Sequence, residues 1–317
     1  SGGVRVDGNE VNDNMSNPLR QLSPRLAVRW NVLPGLSLNA NVGRYYQLPC
    51  MLILGYAESG VRVNAPDAGY VMCDQLVAGL RYDIGERNTT LGVEGFMKEY
   101  DGTPVSKATG IALANLGADF GVVGNEAVRF DGQGRSYGME VLAQRRLYKG
   151  VYGLLAYTWV RSEYEFEGTY APSAWDSRHI VSLTGGAKLK RDWEIGARWL
   201  YSGGLPFTPY DIDVSMDQAY WNSQGTPQLD YAALNSERNA SFSQLDLRID
   251  KKWFFENWSL DVFMDIQNLF GQVPDAPPAL DVVRDAATGV PVADPLNPSR
   301  YQPRYIQASA GSAIPAI

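Results

Sequence analysis

Residues 134–161 read GRSYGMEVLAQRRLYKGVYGLLAYTWVR. Taken with a period of two, Tyr137, Met139, Val141 and Ala143 share one face. Ser136, Gly138, Glu140, Gln144 and Arg146 take the other, with Leu142 the one misfit. Such alternation marks a strand whose two faces meet different surroundings. Tyr148, Lys149 and Gly150 make a short turn, and a second run rich in aromatic and β-branched residues follows. The pair predicts an antiparallel hairpin with long strands, apolar on one face and polar or charged on the other. A soluble sandwich rarely needs strands of this length. A strand that crosses a hydrocarbon layer does, since the crossing takes about 9 to 11 tilted residues that alternately face lipid and lumen.

The same hairpin recurs outward in both directions. GGVRVDG near the start reads as the end of a strand and leads through a polar, Asn-rich loop to Ser23 and Pro24. Residues 25–33 set Leu26, Val28, Trp30 and Val32 against Arg25, Arg29 and Asn31; Pro34 and Gly35 turn the chain, and 36–46 return. Strands are predicted over 74–84 and 89–100, and again over 179–189 and 193–201. Leu245, Leu247 and Ile249 then alternate with Asp246, Arg248 and Asp250, before Trp258, Leu260, Val262, Met264 and Ile266. A last strand is expected at the C-terminus, after a Pro-rich loop over 271–303. Turns near 34, 86, 149, 191 and 256 are short, and every alternate connection is long. Strict short–long alternation is the plan of an all-β, antiparallel transmembrane barrel with short periplasmic turns and long extracellular loops. On that plan Leu26, Val28, Trp30, Tyr137, Met139, Val141, Leu260, Val262 and Met264 face lipid. Arg25, Arg29, Glu140, Gln144, Asp246, Arg248, Asp250 and Asp265 line the lumen. The charged members, with Lys252, are expected to form interstrand ion pairs along the wall.

Composition agrees with this plan and excludes others. The 317 residues suffice for one large all-β unit, and a single domain over 1–317 is expected. Hydrophobic residues make up 45% and charged residues 20%, with no apolar run of about 18 residues, which excludes a bundle of membrane helices. A barrel fits, because only alternate residues meet lipid. Eighteen tyrosines and eight tryptophans suit interfacial girdles. A net charge of −7 argues against nucleic acid as a partner. No secretory leader is legible, as expected if it is removed or if the chain is a piece of a longer polypeptide.

Cys50 and Cys73 stand at the two ends of the first long loop, and a disulfide closing its base is expected, with two unrelated thiols as the alternative. Asp211, Asp213 and Asp217, followed by Tyr220 and Trp221, place carboxylates beside aromatics, a pattern able to bind a sugar or a cation in an extracellular loop. The stretch lacks the sixth-position glycine and closing glutamate of a calcium loop, so no metal is assigned. No cofactor is expected.

Several blocks resemble the C-terminal barrel half of TonB-dependent outer-membrane receptors of the long-looped, nutrient-scavenging type. They are LSPRLAVRWNVLPGLSLNANVGRYYQLP at 22–49, GRSYGMEVLAQRRLYKGVYGLLAYTWVRSEY at 134–164, WDSRHIVSLTGGAKL at 175–189, WEIGARWLYSGGLPFTPY at 193–210 and QLDLRIDKKWFFENWSLDVFMDIQNLF at 244–270, in the family's order. The resemblance implies a wall contribution to a 22-stranded barrel filled by an N-terminal plug. It implies a Gram-negative outer-membrane location and import of a scarce nutrient: an oligosaccharide, a peptide, a siderophore or a vitamin complex. It also implies energy relayed by TonB through the plug, and a surface lipoprotein as a further partner. About half the strands of such a barrel are legible, no plug is, and the chain ends at Ile317 without the family's terminal aromatic. A fragment without plug is therefore expected, one that leaves open sheet edges when expressed alone. Asp176, Ser177 and the single histidine, His179, could suggest hydrolysis. The resemblance assigns them instead to a strand start, so no enzyme is expected. The competing readings are a passive barrel of about 12 strands, a porin or adhesin scaffold, and a soluble carbohydrate-binding β-protein.

Overall fold

Alternation at 134–161 and its repeats builds one twelve-stranded sheet. The computed structural model describes residues 1–116 and 124–307. Along the main path lie β1 (Gly2–Val6), β2 (Leu22–Leu33), β3 (Leu36–Gln47), β4 (Val71–Ile84), β5 (Thr89–Ser106) and β6 (Val128–Tyr148). It continues through β7 (Val151–Phe166), β8 (His179–Lys188), β9 (Trp193–Ser202), β10 (Phe242–Phe254) and β11 (Ser259–Ile266). Each pairs antiparallel with its neighbour, and the short strand Thr169–Pro172 doubles back on β7. The five hairpins turn at 34–35, 85–88, 149–150, 189–192 and 255–258. Lys149 (φ 50°) and Gly150 (φ 82°) both take the left-handed conformation, the two-residue turn whose twist matches the flanking strands.

Register carries the apolar face without a break from β2 to β11. Leu26 lies opposite Val42, Val42 opposite Leu76, Leu76 opposite Met97 and Met97 opposite Tyr137. Farther along, Val141 lies opposite Tyr157, Leu155 opposite Leu183, Leu183 opposite Trp199 and Ile249 opposite Met264. This face is bare: Leu26, Val28 and Trp30 are 53%, 54% and 62% exposed. So large a continuous apolar surface has no place in water. It is bordered by aromatics, with Trp30, Tyr82, Trp193 and Trp253 toward the short turns and Tyr137, Trp159, Tyr157, Trp199 and Tyr201 toward the long loops. These are the two girdles of an outer-membrane wall. Among the described residues no helix is long and apolar enough to cross a membrane.

Two expectations need correction. The strands run beyond the predicted limits of 100 and 134, because the alternation used to find them stops where loops cover both sides. Thr103, Val105, Ser106 and Val128 are all buried there. A bulge at Asp101–Thr103, where Gly102 takes φ 74°, marks the change. The last strand among the described residues is Pro303–Ile306, and it pairs with Ala279–Val282 in a separate two-stranded sheet rather than with the wall. The expectation about Ile317 lies outside the described residues. Among those residues β1 and β11 are not paired with each other, so the sheet is an open arc rather than a closed barrel of about 12 strands.

Candidate functional site: a stitched loop layer above an inward aromatic row

The apolar side chains that are buried lie where the strands end and the loops begin. Met15, Leu54 and Ala68 form one cluster; Ile53, Leu113 and Val128 a second; Met216, Trp221, Leu280 and Val282 a third. Between these small cores, single polar side chains tie loops far apart in sequence. Asn64 is fully buried and donates to the carbonyls of Ile53 (2.9 Å) and Glu126 (2.8 Å), while its Oδ1 accepts from the Val128 amide (2.8 Å). Asn235 donates to the carbonyls of Asn115 (3.1 Å) and Pro172 (2.8 Å), joining three loops. Buried backbone carbonyls need such partners, and an Asn supplies donor and acceptor at once.

Asp176 is the most charged of these ties. It is fully buried, accepts from the Ser162 amide at 2.9 Å, and is paired with the Arg238 guanidinium. Arg238 also donates to the carbonyls of Asp176 (2.5 Å) and Gly204 (2.9 Å). Arg161 and Arg178 stand 3.7 and 3.8 Å away. Burial draws the Arg238 guanidinium below its ordinary value, and Asp176 opposes that shift. Through these ties the loops form one continuous layer over the extracellular rim.

Beneath the layer, the inward face carries an aromatic row. Register places Tyr45 opposite Cys73, Cys73 opposite Tyr100 and Gly134 between Tyr100 and Tyr164. The absent side chain at Gly134 lets Tyr100 and Tyr164 stack with centroids 5.9 Å apart. Arg25 lies over Tyr45 at 4.3 Å. Sequence reading missed these tyrosines, though each stands at an inward position of the period-two pattern. Lower down, Arg198, Asp246, Arg248, Asp265 and Gln267 converge with Tyr152 on a recess of about 310 Å³.

All the residues expected in the lumen share this inward face by register, Arg29 opposite Asn39 and Glu140 opposite Thr158 among them. Their ion pairing differs from expectation. Arg248 pairs with Asp250 at 2.7 Å two residues along its own strand, as Arg81 does with Asp83 at 3.1 Å, because neighbours on one face of a strand are within reach. Lys252–Asp261 (3.2 Å) and Arg198–Asp246 (3.9 Å) do cross between strands. Arg29, Glu140 and Gln144 have no ion pair among the described residues.

The acidic loop stretch is also put to a different use. Asp211 caps the helix Ile212–Ser215 by accepting from the Val214 amide (3.0 Å), and Asp217 caps Gln218–Gln224 through the Tyr220 amide (2.9 Å). Asp213 pairs with Arg300 at 2.6 Å, and Trp221 is buried in the third cluster. The side chains of Asp211, Asp213, Asp217 and Trp221 are thus engaged in building the loop, and Tyr220 contributes its backbone amide. The bridge expected between Cys50 and Cys73 does not form, since both are free. Cys73 belongs to a strand, opposite Tyr100, and Cys50 is exposed at the start of the helix Met51–Gly55. A maleimide is therefore expected to label Cys50 in unreduced native protein and both cysteines after unfolding without reductant; labelling that waits for a reductant contradicts the free thiols. His179 leaves Asp176 and stacks on Tyr157, with Nδ1 2.9 Å from the Tyr157 hydroxyl.

Comparison with known proteins places this geometry. The family model described as TonB dependent receptor-like, beta-barrel matches residues 1–269. The ferric-catecholate import receptor Fiu from K12 E. coli superposes with a TM-score of 0.55 at 14% identity, over 90% of this chain and 34% of that one. The ferripyoverdine receptor of the outer membrane of Pseudomonas aeruginosa gives 0.56 at 12% identity, over 82% and 30%. The ferric yersiniabactin uptake receptor FyuA from Yersinia pestis gives 0.52 at 13% identity, over 80% and 32%. The chain thus spans about a third of the length of these solved structures. No curated protein sequence matches it.

Proposed function

This chain belongs to the TonB-dependent receptor-like β-barrel family of the outer membrane, and from that premise we propose that it walls part of a receptor importing a scarce nutrient with energy relayed by TonB. The observation that carries this reading is the division of the wall. A bare apolar face meets lipid, a polar face with Tyr45, Tyr100, Tyr164 and Arg25 faces inward, and stitched loops roof that inward face. Aromatic rings beside a cation at the mouth suit ligands with flat or sugar-like surfaces. The candidates are oligosaccharides, peptides, siderophores and vitamin complexes, with a surface lipoprotein as a further partner.

The open arc supports a wall completed by further strands. Its two edges carry unpaired backbone groups, each costing several kcal/mol in hydrocarbon. In this reading neighbouring strands cover them, and a plug contributed by the same receptor occupies the lumen. The passive-barrel alternative gains nothing from an open sheet.

Uptake in cells lacking the complete gene tests the proposal. Ferric siderophores, cobalamin, maltohexaose and short peptides, each radiolabelled, are supplied with and without the restored gene. Accumulation of one of them is expected to require both the gene and TonB, and to fall about tenfold for Tyr100→Ala, the scale of one lost stacking contact. Gene-dependent accumulation that persists after TonB is disrupted would show a passive pore instead.

A further inference from the structure

One patch of the lipid-facing surface is neither flat nor uniformly apolar. The outward row of residues paired across β6 to β10 runs Arg145, Gly153, Gly185, Ala197, Leu247. Three consecutive small residues leave a trough in it, and the row beneath, Val151, Ala187, Ile195, Ile249 and Met264, forms the other wall. The result is a groove of about 590 Å³ lined by Val151, Gly185, Ala187, Ile195, Ala197 and Met264 among others. Because strands tilt across the membrane, this row climbs. Arg145 sits close to the periplasmic turn of β6, whereas Leu247 lies near the middle of β10.

Beside the turn-ward end of the groove, next to Val151, the surface is cationic, against the sense of a chain with net charge −7. Arg145 flanks Gly153 directly, and its Nε is buried without a partner. Its guanidinium stands 5.1 Å over the Tyr148 ring, and Lys149 5.5 Å over the same ring. Among the described residues neither Arg145 nor Lys149 has a carboxylate partner, whereas Arg198, Arg248 and Lys252 on the inward face do.

We infer that this groove is a binding site for one anionic glycerophospholipid of the periplasmic leaflet. An acyl chain lies in the trough over Gly153, Gly185 and Ala197. The phosphate meets Arg145 and Lys149 at the interface, beside Tyr148. A guanidinium fork suits phosphate oxygens, and basic residues beside an apolar groove at one membrane surface are how anionic headgroups are held. The inference uses only the outer-membrane placement of the wall and does not depend on what the receptor imports.

The test uses the complete polypeptide carrying this sequence, purified in mild detergent and offered equimolar phosphatidylglycerol and phosphatidylcholine with identical acyl chains. Native mass spectrometry reads the lipids retained, and the heat-dependent shift in gel mobility verifies that each variant is folded. Phosphatidylglycerol is expected to be retained about fivefold over phosphatidylcholine, the scale set by one basic residue near an anionic surface. The double variant R145Q/K149Q is expected to lose that preference while still retaining lipid. Ala197→Leu, which fills the trough, is expected to lower retention of both lipids. Equal retention by the unaltered protein overturns the site, and that comparison needs no variant to fold. A preference unchanged in R145Q/K149Q overturns it as well.

Discussion

Replacing Arg238 by Met is expected to cost about 3 to 5 kcal/mol of loop-layer stability and to release two extracellular loops while the wall stays folded. Asp176 has no exposure to water, and Arg238 supplies its charge partner as well as hydrogen bonds to the carbonyls of Asp176 and Gly204. Methionine keeps much of the volume and removes every donor. The carboxylate is then left with the Ser162 amide and with Arg161 and Arg178 at 3.7 and 3.8 Å, too long for good hydrogen bonds. A poorly compensated buried charge is costlier than a lost contact, so the segments 167–178 and 203–241, left with the Asn235–Pro172 hydrogen bond, loosen against each other. Protease added to intact cells should cut within 203–241 far faster in the variant, with heat-modifiable mobility of the wall unchanged. Equal cutting rates would show that the Asp176–Arg238 tie does not hold the loops. The reverse substitution, Asp176→Asn, is expected to be milder, because Arg238 is partly exposed and can turn to solvent.

The second large effect separates the two faces of one strand. Val141 lies between Val93 and Tyr157 on the bare apolar face, and Gln144 between Thr90 and Leu154 on the inward one. Val141→Arg puts a charge into hydrocarbon at the middle of the apolar span of β6, with an expected cost of about 2 to 4 kcal/mol. Gln144→Arg meets a water-filled, polar surface and should cost less than about 1 kcal/mol, the usual range for a surface change. Urea titration of the complete protein folded into lipid vesicles measures both. Similar losses at the two positions would mean the faces are wrongly assigned.

How much of this could be read from the chain follows from what lipid demands. A strand with hydrocarbon on one side must alternate, so Leu26, Val28 and Trp30 or Tyr137, Met139 and Val141 declare their face without further context. Thr103, Val105 and Val128 do not, because the loop layer buries both sides of those strand ends. Asn64, Asn235 and Asp176 look like ordinary loop polars, since their roles are set by carbonyls and amides from distant segments. Asp211 and Asp217 did carry a legible signal that the carboxylate reading passed over. Each precedes by three residues the amide it accepts from, which is the spacing of a helix N-cap. Tyr45, Tyr100 and Tyr164 were hidden by the habit of counting tyrosine as apolar, although on the inward face it offers both a ring and a hydroxyl.

The central claim is that one face of this sheet meets lipid and the other meets water, and accessibility along β6 tests it most directly. With Cys50 and Cys73 replaced, single cysteines at 136–144 in the complete protein carry nitroxide labels in lipid vesicles. Relaxation is then measured with oxygen, which concentrates in hydrocarbon, and with a water-soluble nickel chelate. The account predicts a period of two, with oxygen dominant at 137, 139, 141 and 143 and nickel dominant at 136, 138, 140, 142 and 144. Accessibility without alternation, or with the two phases exchanged, would contradict it.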